Sequence, residues 1–276
     1  HRDLHSFPTR RSSDLERAAQ VAQAEARRLA ELVVPAPILS GPAPGVYAAG
    51  LSVSASSSLK EARLVYTLDG SIPGPRNGTP YAGPIAINTS GVLKVVALVP
   101  GAKASPVAQA EYTIGEVCVV PGGSGDGRRG HALGDIREAI DKARGLGIPI
   151  VKLGGTGAFT ASLELNAPII LSGGWNAIFS ALSGSYSIIK GPDVEGSSKK
   201  APAFAVAVRG SKADAGVRLE RLDMRGGSAT YSTGLVVTDG ASPSVVGCRA
   251  SGGASSYGYG AAVMTGAAPK IGRAHV

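Results

Sequence analysis

The spacing of hydrophobic residues changes three times along the chain, and the first stretch has a helical period. Residues 16–34 contain neither Gly nor Pro and are rich in Ala, Leu, Glu, Gln and Arg, which favour helices. Pro35 then stops the run. This pattern predicts a helix over 16–34 that connects to an upstream region or binds a partner. The apolar positions at helical spacing are Ala18, Ala22, Ala26, Leu29 and Val33.

Residues 35–115 replace this pattern with short apolar stretches separated by turn residues, which is typical of antiparallel strands. Asp69-Gly70 follows Val65–Leu68 directly and predicts a tight turn. This many strands in about 80 residues favours a small β-sandwich of the immunoglobulin or fibronectin kind. The predicted strands are Gly50–Ser56, Arg63–Leu68, Ile85–Ile87, Gly91–Val99 and Ala108–Ile114.

Residues 116–270 open with one strand, a glycine-rich loop, one helix and a second strand. Asp135 and Glu138 come early in the predicted helix Asp135–Arg144, where the helix dipole favours acids, and Gly145–Gly147 end it. The loop contains no Gly-Lys-Ser/Thr element at the helix start, so it does not predict a nucleotide site. The flanking elements are strand Cys118–Val120, loop Pro121–Gly130 and strand Ile148–Leu153.

The end of this region repeats itself every 26 residues. Apolar and glycine positions recur between 221–245 and 247–271, with short strands separated by glycine turns. Each repeat is too short to bury its own apolar face, so neighbouring repeats must stack. No helix-forming run lies between the predicted strands. The pattern therefore predicts a parallel β-helix in which Tyr231 pairs with Tyr257, Val237 with Val263, Leu219 with Val245, Met224 with Ala250 and Asp223 with Arg249.

The composition of the 276 residues limits the function classes. Hydrophobic residues make up 43% of the chain, which is enough for a packed core, and no apolar run reaches the roughly 18 residues of a membrane span. The formal charge of +8 is spread along the chain, and only Lys199 and Lys200 are adjacent lysines. We therefore expect no nucleic-acid partner. Two cysteines 130 positions apart do not make a zinc site.

The two ends of the chain differ in character from the rest. Residues 1–15 and 271–276 resemble translated sequencing adapters, and without them the formal charge falls from +8 to +6. The alternative is a genuine basic N-terminal arm. On the adapter interpretation we expect residues 16–270 to be an internal fragment of a longer protein whose signal sequence and further coils are missing.

The segment from Val65 to Leu98 resembles the domain found at the C-termini of chitobiases and β-hexosaminidases. This family shows a Y-T-x-D-G-x-x-P pattern, then G-T-x-Y, then G-x-L-K-A-x-A, and Val95 departs from its first alanine. The resemblance covers 35–114 and implies an accessory immunoglobulin-like module, without hexosaminidase chemistry. The matching residues are Tyr66, Asp69, Gly70, Pro73, Gly78, Thr79, Tyr81, Gly91, Leu93, Lys94 and Ala97.

The region 116–270 resembles the pectate-lyase-like class of right-handed parallel β-helix proteins. Gly123–Ile140 looks like the opening of many bacterial surface domains of this class, and Leu171–Trp175 looks like one of their early-coil motifs. The resemblance implies a right-handed coil, closed at its start by a cap helix. The predicted fold is therefore mainly β: a helix, a sandwich and a capped right-handed β-helix.

No constellation of catalytic residues is visible in the sequence. Glycoside hydrolysis needs paired carboxylates, but Asp223 falls on Arg249 in the next repeat and Asp239 falls on Thr265. His131 stands between a loop and the predicted cap helix without companions. We expect no catalytic residue, no metal site and no cofactor in this stretch.

Carbohydrate contact is one chemistry that the tyrosine and tryptophan side chains permit. Tyrosine and tryptophan combine an apolar ring with a polar handle, which suits sugar stacking. The alternative for each is a structural role at a strand or at the edge of the core. The candidates for contact with a polysaccharide are Tyr66, Tyr81, Trp175, Tyr231 and Tyr257.

Taken together, the patterns and resemblances favour a non-catalytic module of a bacterial surface or secreted protein. We expect it to lie outside the cell, on the cell surface or in the periplasm, and it could belong to a lipoprotein. Its role would be structural or adhesive, with weak contact to polysaccharide or cell-surface glycans. The alternatives are a fragment of a polysaccharide lyase or glycoside hydrolase whose catalytic coils lie beyond residue 270, and a purely structural stalk.

Overall fold

A computed structural model describes residues 9–194, 203–210, 216–263 and 267–272, with side chains described between residue 14 and Lys270. The chain is mainly β, and its described residues form 22 strands and two helices. Parts of the two terminal segments, residues 1–8 and 273–276, lie outside the described residues, as does the Lys199-Lys200 pair. The chain divides into a first unit (to Ala43, Leu51–Ile87, Gly91–Ala110) and a second unit (Pro44–Gly50, Asn88–Ser90, from Glu111 onward).

The N-terminal helix α1 spans Thr9–Glu31. It therefore begins earlier than the predicted residue 16 and ends before Pro35. The eight strands that follow are β1 Ile38–Ser40, β2 Gly45–Tyr47, β3 Leu51–Ser56, β4 Arg63–Thr67, β5 Thr79–Pro80, β6 Ile85–Ile87, β7 Gly91–Leu98 and β8 Ala108–Ile114.

The first unit contains two sheets. Strands β1, β3 and β6 form an antiparallel sheet in that order, and β4 lies antiparallel between β5 and β7. Alternating side chains of β3 and β6 are buried, as expected for strands with one face on a core. At the predicted Asp69-Gly70 turn, Gly70 has φ 79°, and the Ser71 N–H donates to Asp69 Oδ1 at 2.9 Å.

The second unit begins with β2 paired in parallel to the end of β8. Its other elements are β9 Val117–Val119, α2 Ile136–Leu146, β10 Ile150–Gly154, β11 Ala158–Thr160, β12 Leu163–Leu165, β13 Ile169–Trp175, β14 Ser187–Lys190, β15 Ala203–Arg209, β16 Val217–Glu220, β17 Leu222–Arg225, β18 Tyr231–Thr238, β19 Ser244–Val246, β20 Arg249–Ser251, β21 Tyr257–Val263 and β22 Lys270–Gly272.

Three parallel sheets share these strands in strict rotation. After β9 and α2, the chain adds one strand to each sheet in turn before it returns to the first sheet. We call them the six-stranded sheet (β9-β10-β13-β16-β19-β22), the β11 sheet (β11-β14-β17-β20) and the β12 sheet (β12-β15-β18-β21). Their inward side chains form one continuous core, in which Leu171, Leu219 and Leu222 are fully buried.

The predicted 26-residue register is confirmed by the strand pairing. Leu219 lies beside Val245, Met224 beside Ala250 and Asp223 beside Arg249. The same offset pairs Tyr231 with Tyr257 and Val237 with Val263. Earlier passages of the chain have other offsets, shorter where Val151 pairs with Leu171 and longer where Ala203 pairs with Ser232 and Ile169 with Val217.

Helix α2 closes the start of this core. Its apolar stripe, Ile136, Ala139, Ile140 and Ala143, is buried in the same cluster as Val117 of β9. The Asp135 carboxylate accepts hydrogen bonds from the N–H groups of Arg137 and Glu138, and Gly147 ends the helix in the left-handed conformation. The predicted start and stop of this helix are therefore confirmed to within two residues.

Candidate functional site

The stacked tyrosines Tyr231 and Tyr257 are the most exposed pair among the predicted contact residues. They are direct partners on β18 and β21, their ring centroids are 5.2 Å apart and the rings are 16° from parallel. Despite this stacking, 47% of Tyr231 and 53% of Tyr257 remain exposed. An in-register parallel pair places the same side chain on neighbouring strands, which is why a sequence repeat becomes a stack.

The direction of the pair follows from the strand alternation. Ser232, next to Tyr231, is fully buried, and its hydroxyl accepts a hydrogen bond from the Gly253 N–H at 2.6 Å. Because successive side chains point to opposite faces, burial of Ser232 turns Tyr231 outward. The N–H of Tyr257 also donates to the carbonyl of Thr230 at 3.0 Å, which fixes the backbone beneath the stack.

Tyr259 extends this exposed aromatic surface, and the sequence reasoning missed it. It lies two residues after Tyr257 on β21 and is 51% exposed. Its direct partner on β18 is Thr233 rather than an aromatic residue, so no repeat marked it. The available signal was the alternation Tyr257-Gly258-Tyr259, which places two aromatics on one face of a strand.

Trp175 lies on a different sheet, at the end of β13, and has polar partners on its ring and its nitrogen. The Lys152 Nζ is 3.7 Å from the ring centroid, and the indole N–H donates to Ser172 Oγ at 3.2 Å. An ammonium over an aromatic face is a favourable cation–π contact. One face of Trp175 is therefore already occupied.

Lys152 also belongs to a buried charge cluster around Glu116. Glu116 is 6% exposed and its carboxylate contacts Lys152 Nζ at 2.6 Å, Arg129 Nε and the hydroxyl of Ser90. Burial by itself raises the pKa of Glu116, but hydrogen bonds and charges from Arg129 and Lys152 outweigh it and lower that pKa below its ordinary value. The cluster ties β9 to its neighbours and holds Glu116 ionised.

The remaining predicted contact residues, Tyr66 and Tyr81, lie in the first unit. Both are half-buried, and Tyr66 lies on β4 between Thr79 and Val95. The Tyr81 hydroxyl accepts a hydrogen bond from the Ala55 N–H at 3.2 Å, and its side chain lines a surface groove with a volume of about 480 Å³. Of the five predicted residues, the structure brings only Tyr231 and Tyr257 into contact.

Most of the described carboxylates of the second unit contact basic side chains rather than each other. Among the described residues, no group of three or more His, Cys, Asp or Glu side chains is arranged to hold a metal ion. Two hydrogen bonds lower the pKa of Asp193, the larger effect coming from the Ser228 N–H and the smaller from Lys190. A general acid in glycoside hydrolysis needs the opposite shift. The pairs are Glu111–Arg128, Asp126–Arg128, Glu164–Arg209, Asp193–Lys190, Glu220–Arg218 and Asp223–Arg225.

The two cysteines are free thiols that the protein buries. Burial is the main cause that raises the pKa of both thiols, for Cys248 to about 11. A thiol that stays protonated near neutral pH is a poor nucleophile. Cys248 packs in the common core of the three sheets, as its place in the repeat beside Leu222 predicts.

Comparison with known proteins supports the resemblance of the first region. Residues 42–109 match the family model of the chitobiase/beta-hexosaminidase C-terminal domain, a stretch that covers β2 to the start of β8. No curated protein and no solved structure matches the chain. Within the described residues, no helix is both long and apolar enough to span a membrane.

Proposed function

We propose that this chain is a non-catalytic module of a bacterial surface or secreted protein that contacts polysaccharide. The observation that carries the proposal is the exposed tyrosine stack, Tyr231 and Tyr257, with Tyr259 beside it. Exposed aromatics that are held rigidly lose little conformational entropy when a ligand binds. Three such rings on two strands offer a sugar chain apolar surface and hydroxyl groups together.

We further propose that the second unit is a right-handed parallel β-helix capped by α2, and that the first region is an immunoglobulin-like sandwich. The strict rotation of strands among three parallel sheets supports the first interpretation. The antiparallel sheets of the first unit and the match over residues 42–109 support the second. An extended stack of strands gives a long, rigid surface, which suits polymeric ligands.

Affinity electrophoresis and isothermal titration calorimetry on the full chain test the glycan contact. The probes are chitin oligomers, xylan and polygalacturonate. We expect weak binding to at least one of them, and we expect Tyr231→Ala with Tyr257→Ala to weaken that binding about tenfold. The matched control is the double change to Phe, which keeps both rings and should retain binding within about threefold.

Three outcomes are decisive. Loss of binding in an alanine variant that still unfolds cooperatively, with a melting temperature lowered by no more than a few degrees, supports the proposal. Equal binding by the alanine variant removes the stack as the contact surface. Release of reducing ends or unsaturated products from any probe contradicts the non-catalytic role and favours the lyase or hydrolase alternative.

A further inference from the structure

The groove beside Tyr81 in the first unit has the size of a ligand site. Its volume of about 480 Å³ lies within the range of small-molecule sites. It runs along the end of β3 and the start of β4, and Tyr81 and Pro80 form one of its walls. The polar side chains that line it are Ser56, Ser57, Lys60 and Arg63.

Tyr81 is held in a fixed orientation inside this groove. Its backbone N–H donates to the carbonyl of Leu64 at 2.9 Å, and its hydroxyl oxygen accepts from the Ala55 N–H at 3.2 Å. The hydroxyl proton has no acceptor among the described residues and remains available to a ligand. A ring fixed at both ends is a preorganised stacking surface.

The groove carries positive charge without a counter-charge. Lys60 and Arg63 are both exposed and line it, and neither forms an ion pair within the described part of the chain. Glu61 lies between them in sequence but is not part of the lining. In the second unit, by contrast, most of the described carboxylates form ion pairs with basic side chains. The two cations therefore make the groove suitable for an anion.

We infer that this groove binds an acidic sugar, such as a uronic-acid residue of a polysaccharide. The sugar ring packs on Tyr81, and its carboxylate is bound by the guanidinium of Arg63 and the ammonium of Lys60. The Ser57 hydroxyl accepts from the Leu59 N–H at 3.2 Å and can donate its own proton to a ligand oxygen. This site is separate from the tyrosine stack and does not depend on it.

Titration calorimetry of the full chain with trigalacturonate, and with chitotriose as a neutral trisaccharide, tests the inference. We expect trigalacturonate to bind and chitotriose to bind at least tenfold more weakly. Arg63→Gln should weaken trigalacturonate binding about tenfold and Lys60→Gln about fivefold, and salt should weaken binding further. Tyr81→Ala removes the stacking surface and should therefore weaken trigalacturonate binding. Tyr81→Phe keeps that surface and should bind within about threefold of the original chain.

The matched control is Lys103→Gln, which removes an exposed lysine of the same unit that does not line the groove. If Lys103→Gln weakens binding as much as Lys60→Gln, the attraction is general charge and the inference fails. It also fails if chitotriose binds equally well, if sodium sulfate competes as effectively as the sugar, or if trigalacturonate does not bind at millimolar concentration. The Tyr231 and Tyr257 variants report the other site, so failure of one proposal is distinguishable from failure of the other.

Discussion

The two units pair their strands by different rules. In the first unit, partners run antiparallel and most are not consecutive in sequence, as where Tyr66 of β4 lies opposite Thr79 of β5 and Val95 of β7. In the second unit, each strand pairs in parallel with one from the previous passage of the chain, as Leu219 does with Leu171 and Val245. In the first unit, the alternation of buried and exposed side chains sets the register, whereas loop length and core packing set the register of the second.

The two units also differ in how their charged side chains are paired. Apart from a pair within α1, the ion pairs among the described residues lie in the second unit. Some of them join residues close in sequence, such as Asp223 and Arg225, and others join distant residues, such as Glu116 and Lys152. In the first unit, Lys60 and Arg63 form no ion pair within the described part of the chain. These two cations are therefore open to an anionic ligand.

The largest expected effect comes from a cavity in the stacked core. Leu219 is fully buried between Leu171 and Val245, so Leu219→Ala should lower the free energy of unfolding by about 2–5 kcal/mol. Hydrogen exchange read by mass spectrometry should show lost protection in β13 and β19, the two strands beside it. The matched change in the first unit is Leu93→Ala, since Leu93 is 1% exposed. Its loss of protection should be confined to β7 and to the neighbours of β7 in the sheet, β4 and β8. If both variants lost protection from hydrogen exchange uniformly along the chain, the two units would not differ in how their strands are paired.

The next effect comes from the charge cluster. Glu116→Gln leaves Lys152 and Arg129 without a carboxylate, and urea unfolding should show a loss of about 2 kcal/mol. This is less than for a fully buried pair, because the Arg129 side chain is 32% exposed. As a control, Glu164→Gln breaks an exposed pair with Arg209 and should cost less than about 0.5 kcal/mol. Equal losses would show that burial of Glu116 does not matter.

The Glu116→Gln change should also alter how the stability of the protein depends on pH. Folding lowers the pKa of Glu116 below its ordinary value of 4.5, so its ion pairs stabilise the protein above that value. The stabilisation is lost as pH falls through the lowered pKa of the folded state. The stability of the original chain should therefore fall more steeply below pH 4.5 than that of Glu116→Gln. Parallel pH curves would contradict the role of this carboxylate.

A smaller effect is expected at the cap of α2. Asp135→Ala removes the side chain that accepts from the Arg137 and Glu138 N–H groups and should cost about 1 kcal/mol. Asp141→Ala is the matched control on the same helix. The Asp141 side chain is 78% exposed, and its carboxylate lies as far as 3.9 Å from Arg144 Nη1, so this ion pair is weak. Thermal unfolding should separate the two variants. If both behave alike, capping does not contribute to the closure of the core.

The smallest effect concerns the tyrosine stack. A double-mutant cycle of Tyr231→Ala and Tyr257→Ala should give a coupling energy of about 0.5–1.5 kcal/mol, measured by chemical unfolding. Tyr231→Ala combined with Tyr259→Ala is the control cycle, because Tyr259 has Thr233 as its partner across the strands, and its coupling should be smaller. Similar coupling in both cycles would mean that the stack is not a specific pair.

The sequence predicted the local elements well because their signals are local. The acid before the first turn and the Gly147 region delimited α2 to within two residues, and β6 and β8 match their predicted bounds. The 26-residue repeat predicted the last pairings because the connecting loops there have equal length. The earlier passages differ from one another in length, so pairs such as Leu163 with Val206 left no periodic trace.

The candidate site was only partly predictable for the same reason. Tyr231 and Tyr257 were marked as a pair by the repeat, and the structure stacks them. Trp175 was marked only by residue type, and its contact with Lys152 arises between strands that have no sequence relation. The groove beside Tyr81 depends on where β3 ends relative to β4, which no residue pattern encodes.

The sequence by itself determined the class of each region: a helix, antiparallel strands joined by turns, and short strands that repeat. Periodicity, capping residues and turn residues act over a few positions, so they can be read without a fold. Only the tertiary structure decided which charges meet and which stay free. It also assigned Pro44–Gly50 and Asn88–Ser90 to the second unit and turned Tyr259 outward. Such outcomes depend on contacts between distant residues, which packing of the whole core selects.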